Sequence, residues 1–332
     1  MSDVGASSPL GVNGESRARV SVVGGGAWGV ALAAAAKSAG SDVLLYSRRD
    51  DGGRSVDVAH TKSLADVAAH AHLILFAVPS EFVRPVARAL GDHLDGRHAI
   101  VHGVRGLVSQ TSGELSTIST ILREETPVRR IGALGGPVLT DELLAGAPCV
   151  MVVASRFPEV IKVVRRALGA PSLRVYASDD LVGLEWASAL TSILAVAVGF
   201  ARQLGFGAGV LAAFVTRAVH EGARIAMVAG AEERTFLGLG GFGDLLAATN
   251  EEARPEIRLG EALARGTPLD EAMKSIGQRI EAIELAPRVA AIAVKQRVAA
   301  PIFTAIAHAI FSRRPPQELV RDLMMGPIVG PA

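Results

Sequence analysis

The stretch VSVVGGGAWG at residues 20–29 leads into an alanine-rich segment that ends at Ala39. A β-branched run predicts a strand and an alanine-rich segment predicts a helix, which leaves the glycines in the turn between them. Gly24 permits a tight turn, Gly26 lets the backbone approach a pyrophosphate, and Gly29 lets the helix pack closely on the strand. The N-terminus of such a helix stabilises phosphate charge. The stretch therefore predicts a dinucleotide site.

Short strands and helices alternate around this stretch. A single match to the dinucleotide-binding glycine motif is weak evidence in a chain with 36 glycines, and a purely structural turn is the alternative. The flanking strand and helix favour a cofactor site. Strands are predicted at residues 20–23, 42–46, 73–77, 99–102, 130–134 and 149–154. Helices are predicted at residues 28–39, 63–69, 80–90 and 113–122. This alternation is typical of an α/β fold with a doubly wound parallel sheet, a Rossmann domain.

The pattern changes after about Leu181, where long stretches lack strand-like alternation. These stretches, at residues 181–203, 209–229 and 281–298, predict an all-helical second domain. We therefore expect a disordered leader over residues 1–18, a dinucleotide-binding domain over 19–180 and a helical substrate domain over 181–332. A last short helix is expected at residues 317–324, after two prolines.

Composition excludes several functions. Lys plus Arg is 34 against 33 for Asp plus Glu, and no basic block alternates with aromatics, so we expect no nucleic-acid partner. Cys149 is the single cysteine, which excludes an internal disulfide and fits the cytoplasm; no residue cluster has metal-ligand spacing. The uncharged stretch 186–201 is shorter than the ~20 residues that span a bilayer and predicts a buried helix. The leader lacks the apolar core of a signal peptide.

The end of the second predicted strand bears on the choice between NAD and NADP. Selective NAD sites place an acidic residue there, whereas this chain has Ser47, Arg48 and Arg49. A guanidinium binds a ribose 2′-phosphate that a carboxylate would repel. NADP is therefore the expected cofactor, with NAD as the alternative. An exposed arginine pair on a loop is the competing interpretation, since Asp50 and Asp51 follow.

Further motifs follow along the chain. They are AVPS at residues 77–80, GGP at 135–137 with Glu142, Ala145-Gly146 and Pro148, LGFG at 204–207, TR at 216–217, TF at 235–236 and GLGGFGDL at 238–245. With GGGAWGVALA at 24–33, these segments resemble the bacterial NAD(P)-dependent glycerol-3-phosphate dehydrogenases, from about Arg19 to Phe311. The resemblance implies hydride exchange between a nicotinamide and C2 of a three-carbon phosphate, dihydroxyacetone phosphate giving glycerol 3-phosphate.

The resemblance also implies site residues. It adds five cofactor contacts to Gly24, Gly26, Gly29, Ser47 and Arg48. These are Ala27, Trp28, Pro79, Thr140 and Glu281. Gly136 and Asp244 are implied in the substrate site. An exposed acidic face shared with Glu284 is the alternative for Glu281.

The substrate half departs from the family pattern. Its two lysines are replaced by Arg105 and Thr191. Other departures are Ala208-Gly209 in place of Asp-Asn, Ala248 in place of threonine, Arg254-Pro255-Glu256 in place of Ser-Arg-Asn, and a short connection at residues 49–61. Arginine binds phosphate or carboxylate in a bidentate manner, but a threonine hydroxyl carries no charge to stabilise an alkoxide. Glu256 is expected to repel a phosphate unless it pairs with Arg254 or Arg258.

We take Thr191, Asp244 and Arg105 as candidate catalytic residues, and Arg105, Gly136, Asp244 and Arg254 as candidate substrate residues. Dihydroxyacetone phosphate is expected to be a poor substrate, and Thr191→Lys is expected to restore part of the activity. An N-cap for the helix that begins at Leu245 is the alternative for Asp244.

Two other polar positions have competing interpretations. His102, at a predicted strand end, is either a replacement proton donor or a residue that fills the strand end. His220 and Glu221 are interpreted as a solvated turn of helix.

Three hypotheses follow. The first is an NAD(P)H-dependent glycerol-3-phosphate dehydrogenase, the second a reductase of the same fold with another small carbonyl substrate, and the third a catalytically silent dinucleotide-binding protein. A homodimer is expected from the apolar stretch 190–200.

Overall fold

The computed structural model describes residues 17–48, 56–109, 114–250, 254–311 and 318. The leader up to residue 16, Arg49, and the helix predicted at 317–324 apart from Glu318 lie outside the described residues. The chain divides into two compact units. The first unit runs to Val104 and resumes over Ser116–Leu181, and the second unit comprises Arg105–Leu115 and the chain from Val182 onward.

The first unit alternates strands with helices. Its strands are β1 Arg19–Val23, β2 Asp42–Tyr46, β3 Ala59–Thr61, β4 Leu73–Phe76, β5 Ala99–His102, β8 Arg130–Gly135, β9 Cys149–Ser155 and β10 Leu173–Ser178; the short pair β6 Val108–Ser109 and β7 Leu115–Ser116 lies in the connecting segment. Its helices are α1 Ala27–Ser38, α2 Leu64–His70, α3 Val83–Gly91, α4 Ile118–Glu125, α5 Thr140–Leu144 and α6 Pro158–Leu168, with a 3₁₀ turn at Ser80–Phe82.

Eight strands form one sheet in the order β10-β9-β8-β5-β4-β1-β2-β3. From β1 the chain moves outward to β2 and β3, and from β4 it moves in the opposite direction. Strands β1 and β4 are thus neighbours at the point where the winding reverses, where open α/β sheets bind ligands at the carboxyl ends of their strands. The α/β, doubly wound class predicted from the sequence is confirmed.

One pairing departs from a fully parallel sheet. β9 runs antiparallel to β8, with Gly132 opposite Ser155, while β10 is parallel to β9. The sequence pattern also missed β3, β10, α5 and α6, and the helix predicted at 113–122 begins only at Ile118, after β7. In β10 only alternate residues are buried, so the strand lacks the continuous apolar run that reveals an inner strand.

The second unit is helical, as the sequence predicts. Its helices are α7 Leu181–Gln203, which begins one residue before the unit does, α8 Ala208–Val228, α9 Glu233–Leu237, a π-helical turn Leu239–Gly243, α10 Asp244–Asn250, α11 Pro255–Ala264, α12 Leu269–Ile276, α13 Ala282–Lys295 and α14 Pro301–Phe311. α7 is long and apolar enough to cross a membrane, but 89% of its most apolar window is buried. The stretch 186–201 is therefore a core helix, as expected.

Helices α7 and α11 pack backbone against backbone. A Cβ at Gly260 would lie 1.9 Å from the Val196 carbonyl oxygen, and one at Gly199 would lie 2.1 Å from the Ile257 carbonyl oxygen. Only glycine permits this approach. It brings the polar residues of α7 close to the first turn of α11.

One expectation about the second unit stays untested and another is wrong. Most of the stretch 190–200 is buried in the core of its own unit, with Ala197 and Phe200 only partly buried, and the homodimer stays a prediction. Glu221 is not solvated: it is 3% exposed, and its carboxylate accepts hydrogen bonds from the backbone N–H groups of Ile302 at 3.2 Å and Phe303 at 2.8 Å. These are unsatisfied donors in the first turn of α14.

Candidate functional site

The glycine loop follows β1 at the winding reversal. Gly24 has φ +125°, and a Cβ there would lie 2.1 Å from the Ala77 carbonyl oxygen. Its N–H donates to the Tyr46 carbonyl oxygen at 3.0 Å. A Cβ at Gly29 would lie 1.8 Å from the Gly24 carbonyl oxygen. Gly24 and Gly29 thus have the turn and packing roles that the sequence predicts.

Gly26 differs from the other two glycines of the motif. No atom lies within 4 Å of a Cβ built on it, and both Gly26 and Ala27 are exposed. Gly26 precedes α1 in an extended conformation without a side-chain cap. The first N–H groups of α1 consequently have no side-chain acceptor at the cap, and the space above Gly26 is open. This cradle fits the pyrophosphate of a dinucleotide.

Trp28, the second residue of α1, has an unpaired indole N–H: its Nε1 atom is buried and has no hydrogen-bond partner among the described residues. A Cβ at Gly103, just beyond β5, would lie 2.3 Å from Nε1. Gly103 therefore makes room for the indole. Gly103 was not among the predicted site residues, although a glycine directly after a predicted strand often marks a close approach.

Ser47 and Arg48 follow β2. A Cβ at Gly25 would lie 2.3 Å from Ser47 Oγ, which places the Ser47 hydroxyl against the glycine loop. The Arg48 guanidinium is exposed and lies 5.2 Å from the centroid of the Phe82 ring. The contact of Arg48 with an aromatic ring was not predicted.

The remaining first-unit candidates lie at strand ends. Pro79 immediately precedes the 3₁₀ turn after β4, Gly136 follows β8 with φ +95°, and Thr140 is the first residue of α5. His102 is 1% exposed, and its Nδ1 accepts from the Val104 N–H at 3.4 Å. Such burial favours the interpretation of His102 as a residue that fills the strand end.

In the second unit, Arg105 and Asp244 form an ion pair. Arg105 Nη1 lies 2.8 Å from Asp244 Oδ2, and Nη2 lies 3.3 Å from Oδ1. The Asp244 side chain is 1% exposed and that of Arg105 is 31% exposed. Burial lowers the pKa of Arg105, but the Asp244 and Glu256 carboxylates outweigh burial and raise it. Burial raises the pKa of Asp244, and Arg105 opposes the rise.

Asp244 is not an N-cap. Its backbone is helical, with φ −64° and ψ −38°, because α10 continues directly from the π-helical turn. An N-cap residue has extended geometry and directs its side chain to backbone N–H groups. The Asp244 carboxylate faces two guanidinium groups instead.

Arg254 supplies the second guanidinium. Its Nη1 atom lies 3.5 Å from Asp244 Oδ1 and its Nε atom 3.3 Å from Glu256 Oε2. Ser192 Oγ donates to Glu256 Oε1 at 2.8 Å. Glu256 is therefore paired with Arg254, the case in which its charge alone is not expected to repel a phosphate, but the same pairing neutralises the Arg254 charge that would attract one. We call Arg105, Asp244, Arg254 and Glu256 the ionic quartet.

Thr191, where the resemblance places a lysine, is fully buried. Its Oγ1 atom lies 3.5 Å from the Gly241 carbonyl oxygen, at the limit of a hydrogen bond. The position at which the resemblance places a lysine therefore holds an uncharged hydroxyl group.

Glu281 lies beside the segment that carries Arg105. Its Oε2 atom is 3.5 Å from a Cβ built on Gly106, which has φ +149°. Arg279 pairs with Glu281 at 3.5 Å and with Glu284 at 3.0 Å. Within the described part of the chain, no group of three or more His, Cys, Asp or Glu residues could hold a metal ion.

Three family models match the chain. The C-terminal model of NAD-dependent glycerol-3-phosphate dehydrogenase matches residues 180–321, its N-terminal model matches 54–160, and an NAD(P)-binding Rossmann-like domain model matches 22–79.

Curated relatives and solved structures agree with these models. The chain is 30% identical to a glycerol-3-phosphate dehydrogenase [NAD(P)+] of an Exiguobacterium species, over 93% of this chain and 96% of the relative. It is 32% identical to one from Acinetobacter baumannii, over 95% of this chain and 92% of the relative. The crystal structure of glycerol-3-phosphate dehydrogenase from Coxiella burnetii matches with a TM-score of 0.84 at 27% identity, over 93% of this chain and 99% of that one.

Proposed function

Because this chain belongs to the NAD-dependent glycerol-3-phosphate dehydrogenase family, we propose that it is an NAD(P)H-dependent oxidoreductase that interconverts a hydroxyl and a carbonyl group on a small substrate other than dihydroxyacetone phosphate. The observation that carries the proposal is the ionic quartet. In this chain Asp244 is paired with Arg105 and Arg254. The resemblance instead implies a lysine at position 191, which here is Thr191.

The proposed chemistry divides between the two units. The first unit would hold the dinucleotide with the open cradle at Gly26, the N-terminus of α1 and the Trp28 indole N–H. The nicotinamide supplies the hydride when bound. Negative charge then develops on the substrate oxygen and needs a cation or donor beside it. Arg105 and Arg254 are the proposed hydrogen-bond donors to this oxygen, Asp244 holds both in position, and solvent water supplies the proton that completes the hydroxyl group.

We assign the cofactor preference to NADPH. Ser47 lies against the glycine loop and the Arg48 guanidinium is exposed, so both could bind a ribose 2′-phosphate. Thr140, Pro79 and Glu281 are proposed cofactor contacts on the resemblance alone.

The cofactor proposal is tested by calorimetry. NADPH should bind at least roughly tenfold more tightly than NADH, about 1.4 kcal/mol, and Arg48→Asp should reverse the order. Equal affinities of the unmodified protein for NADPH and NADH would contradict the proposed NADPH preference.

Substrate choice is tested by following NADPH oxidation with dihydroxyacetone phosphate and with unphosphorylated ketones. We expect little turnover of the phosphate and measurable turnover of an unphosphorylated ketone. Turnover of dihydroxyacetone phosphate within the usual range of ~1–1000 per second would contradict the altered substrate site. NADPH binding without turnover of any carbonyl compound would instead favour a silent dinucleotide-binding protein.

We further propose that the protein is cytoplasmic and dimeric. The single cysteine, Cys149, is buried and fits a reducing compartment. The dimer proposal is supported by the partly exposed apolar residues Ala197 and Phe200 of the stretch 190–200, which line an apolar groove, and light scattering of the purified chain is its test.

A further inference from the structure

Arg254 carries a buried donor with no acceptor. Its side chain is 8% exposed, its Nε and Nη1 atoms face Glu256 and Asp244, and its Nη2 atom has no partner within the described residues. A buried charged donor without an acceptor is costly and uncommon. The unpaired Nη2 atom therefore points to an oxygen atom of a ligand.

The charge around Nη2 limits what that oxygen can be. As ion pairs, the quartet contributes two positive and two negative charges, so these four side chains leave no excess positive charge. A phosphate would bring up to two further negative charges next to the Asp244 and Glu256 oxygens, at a position where desolvation is severe. An uncharged carbonyl or hydroxyl oxygen accepts the hydrogen bond without adding charge.

The N-terminus of α11 supplies little of the positive charge that the quartet lacks. Helix N-termini bind phosphate through free N–H groups and the helix dipole. Here Pro255 is at the first position of α11 and has no N–H, and the first turn already contains the Glu256 carboxylate. Pro255 therefore removes one N–H group from this helix end and the Glu256 carboxylate opposes the dipole, so both features that favour an anion are weakened.

We propose that the ionic quartet is a subsite for an uncharged oxygen of a small hydroxy or oxo compound, and that Glu256 is the residue that excludes a phosphate group there. The proposal rests on the proposed function in taking the quartet as part of the substrate site. It makes the substrate class an unphosphorylated polyol or ketone.

The test of exclusion measures binding rather than turnover. Inorganic phosphate and sn-glycerol 3-phosphate are titrated calorimetrically into the wild-type protein, Glu256→Gln and a matched control, Glu261→Gln, which makes the same change on α11 outside the quartet. We expect Glu256→Gln to bind both probes at least about tenfold more tightly than wild type, and the control to match wild type. Adding Arg254→Met to Glu256→Gln should abolish the gain.

The test of the uncharged ligand uses dihydroxyacetone. With saturating NADP⁺, which cannot reduce a ketone, the wild-type protein should bind it at least about tenfold more tightly than Arg254→Met does. Equal affinities in the two proteins would show that Arg254 does not bind the substrate oxygen and would overturn the proposal.

Two other results would also overturn it. One is submillimolar binding of inorganic phosphate to wild type that Arg254→Met removes, since the quartet would then be a phosphate site. The other is unchanged phosphate affinity in a folded Glu256→Gln; if that variant does not fold, Glu256→Ala replaces it under the same criterion. A failure of the proposed function is distinguishable, because it appears as absent turnover while these binding differences persist.

Discussion

Arg105 Nη1 lies 2.8 Å from Asp244 Oδ2, although 139 residues separate the two in the chain. The pair joins the segment after β5 to the first residue of α10, and Arg254 reaches the same carboxylate from the start of α11. Three chain segments therefore depend on one buried acid. Substitution of that acid leaves the largely buried Arg254 without one of its two carboxylate partners.

We expect Asp244→Asn to lower the free energy of unfolding by about 3 kcal/mol, since breaking a buried ion pair leaves an uncompensated charge. Urea denaturation followed by fluorescence of Trp186, which lies in the second unit, measures the change. The control is Asp92→Asn at an exposed position, expected to change stability by less than about 0.5 kcal/mol. A loss for Asp244→Asn as small as the control's would show that the pair contributes little.

A substitution at Gly26 is expected to weaken cofactor binding without changing stability. No atom lies within 4 Å of a Cβ built on Gly26, so Gly26→Ala should leave the unfolding midpoint unchanged. Its methyl group would occupy the space proposed for the pyrophosphate, and NADPH affinity should fall at least about tenfold. Gly96→Ala, also at an open exposed position, should change neither quantity. Calorimetric NADPH affinity retained in Gly26→Ala would place the pyrophosphate elsewhere.

Thr191→Lys is predicted to behave differently from the expectation drawn from sequence alone. Thr191 is fully buried and Asp244 is already paired with Arg105 and Arg254, so the ammonium group would enter without a dedicated partner. We expect a loss of more than about 2 kcal/mol in unfolding free energy and no gain in turnover of dihydroxyacetone phosphate. The control is Thr216→Lys, an exposed threonine on α8, which should leave stability unchanged.

Restoring both lysines and the Ser-Arg-Asn segment of the family pattern is the companion experiment. Thr191→Lys is combined with Arg105→Lys, Arg254→Ser, Pro255→Arg and Glu256→Asn, since residues of one site act together. Here we expect at least about a tenfold rise in turnover of dihydroxyacetone phosphate. A comparable rise in Thr191→Lys alone would mean that the quartet can rearrange around a lysine.

Glu221 gives the second unit a pH-dependent stability. Burial raises its pKa to about 7 from 4.5, against the opposing hydrogen bonds from the backbone N–H groups of Phe303 and Ile302. A native carboxyl with a raised pKa binds its proton more tightly than the unfolded chain does. Stability therefore falls as pH rises from about 4.5 to about 7, by about 3 kcal/mol for this residue, and stays lower above that range.

Glu221→Gln removes this titration. The unfolding free energy of the variant relative to wild type should rise by about 3 kcal/mol between pH 4.5 and pH 8, measured by chemical denaturation at each pH. Glu271→Gln, at an exposed position on α12, should show no such trend. A flat difference for Glu221→Gln would show that the carboxyl titrates normally in the folded protein.

The sequence predicted those features that depend on local conformation. The turn at Gly24 and the close approach at Gly29 follow from the position of glycines between a strand and a helix, and the structure has both. The direction of β9 was not predictable in this way, because apolar runs in parallel and antiparallel inner strands look alike. Strand direction depends on connections and packing beyond the local sequence.

For the proposed substrate site, the sequence showed which family residues are missing but not the contacts that their replacements make. Substitution of both lysines was visible at Arg105 and Thr191, but the contact of the Arg105 and Arg254 guanidinium groups with Asp244 was not. Ser192 and Glu256 are 64 positions apart, and they meet because Gly199 and Gly260 let α7 and α11 touch. No periodicity in the sequence encodes that contact.

The detached segment Arg105–Leu115 has a consequence for how this protein can be divided. The backbone passes between the units three times, after Val104, Leu115 and Leu181. A gene fragment encoding residues 182–332 would omit Arg105 and leave Asp244 with the more distant guanidinium as its partner. The second unit therefore cannot be excised as one continuous piece of chain. Its transfer into another protein would require the eleven-residue segment Arg105–Leu115 as well, for instance by circular permutation.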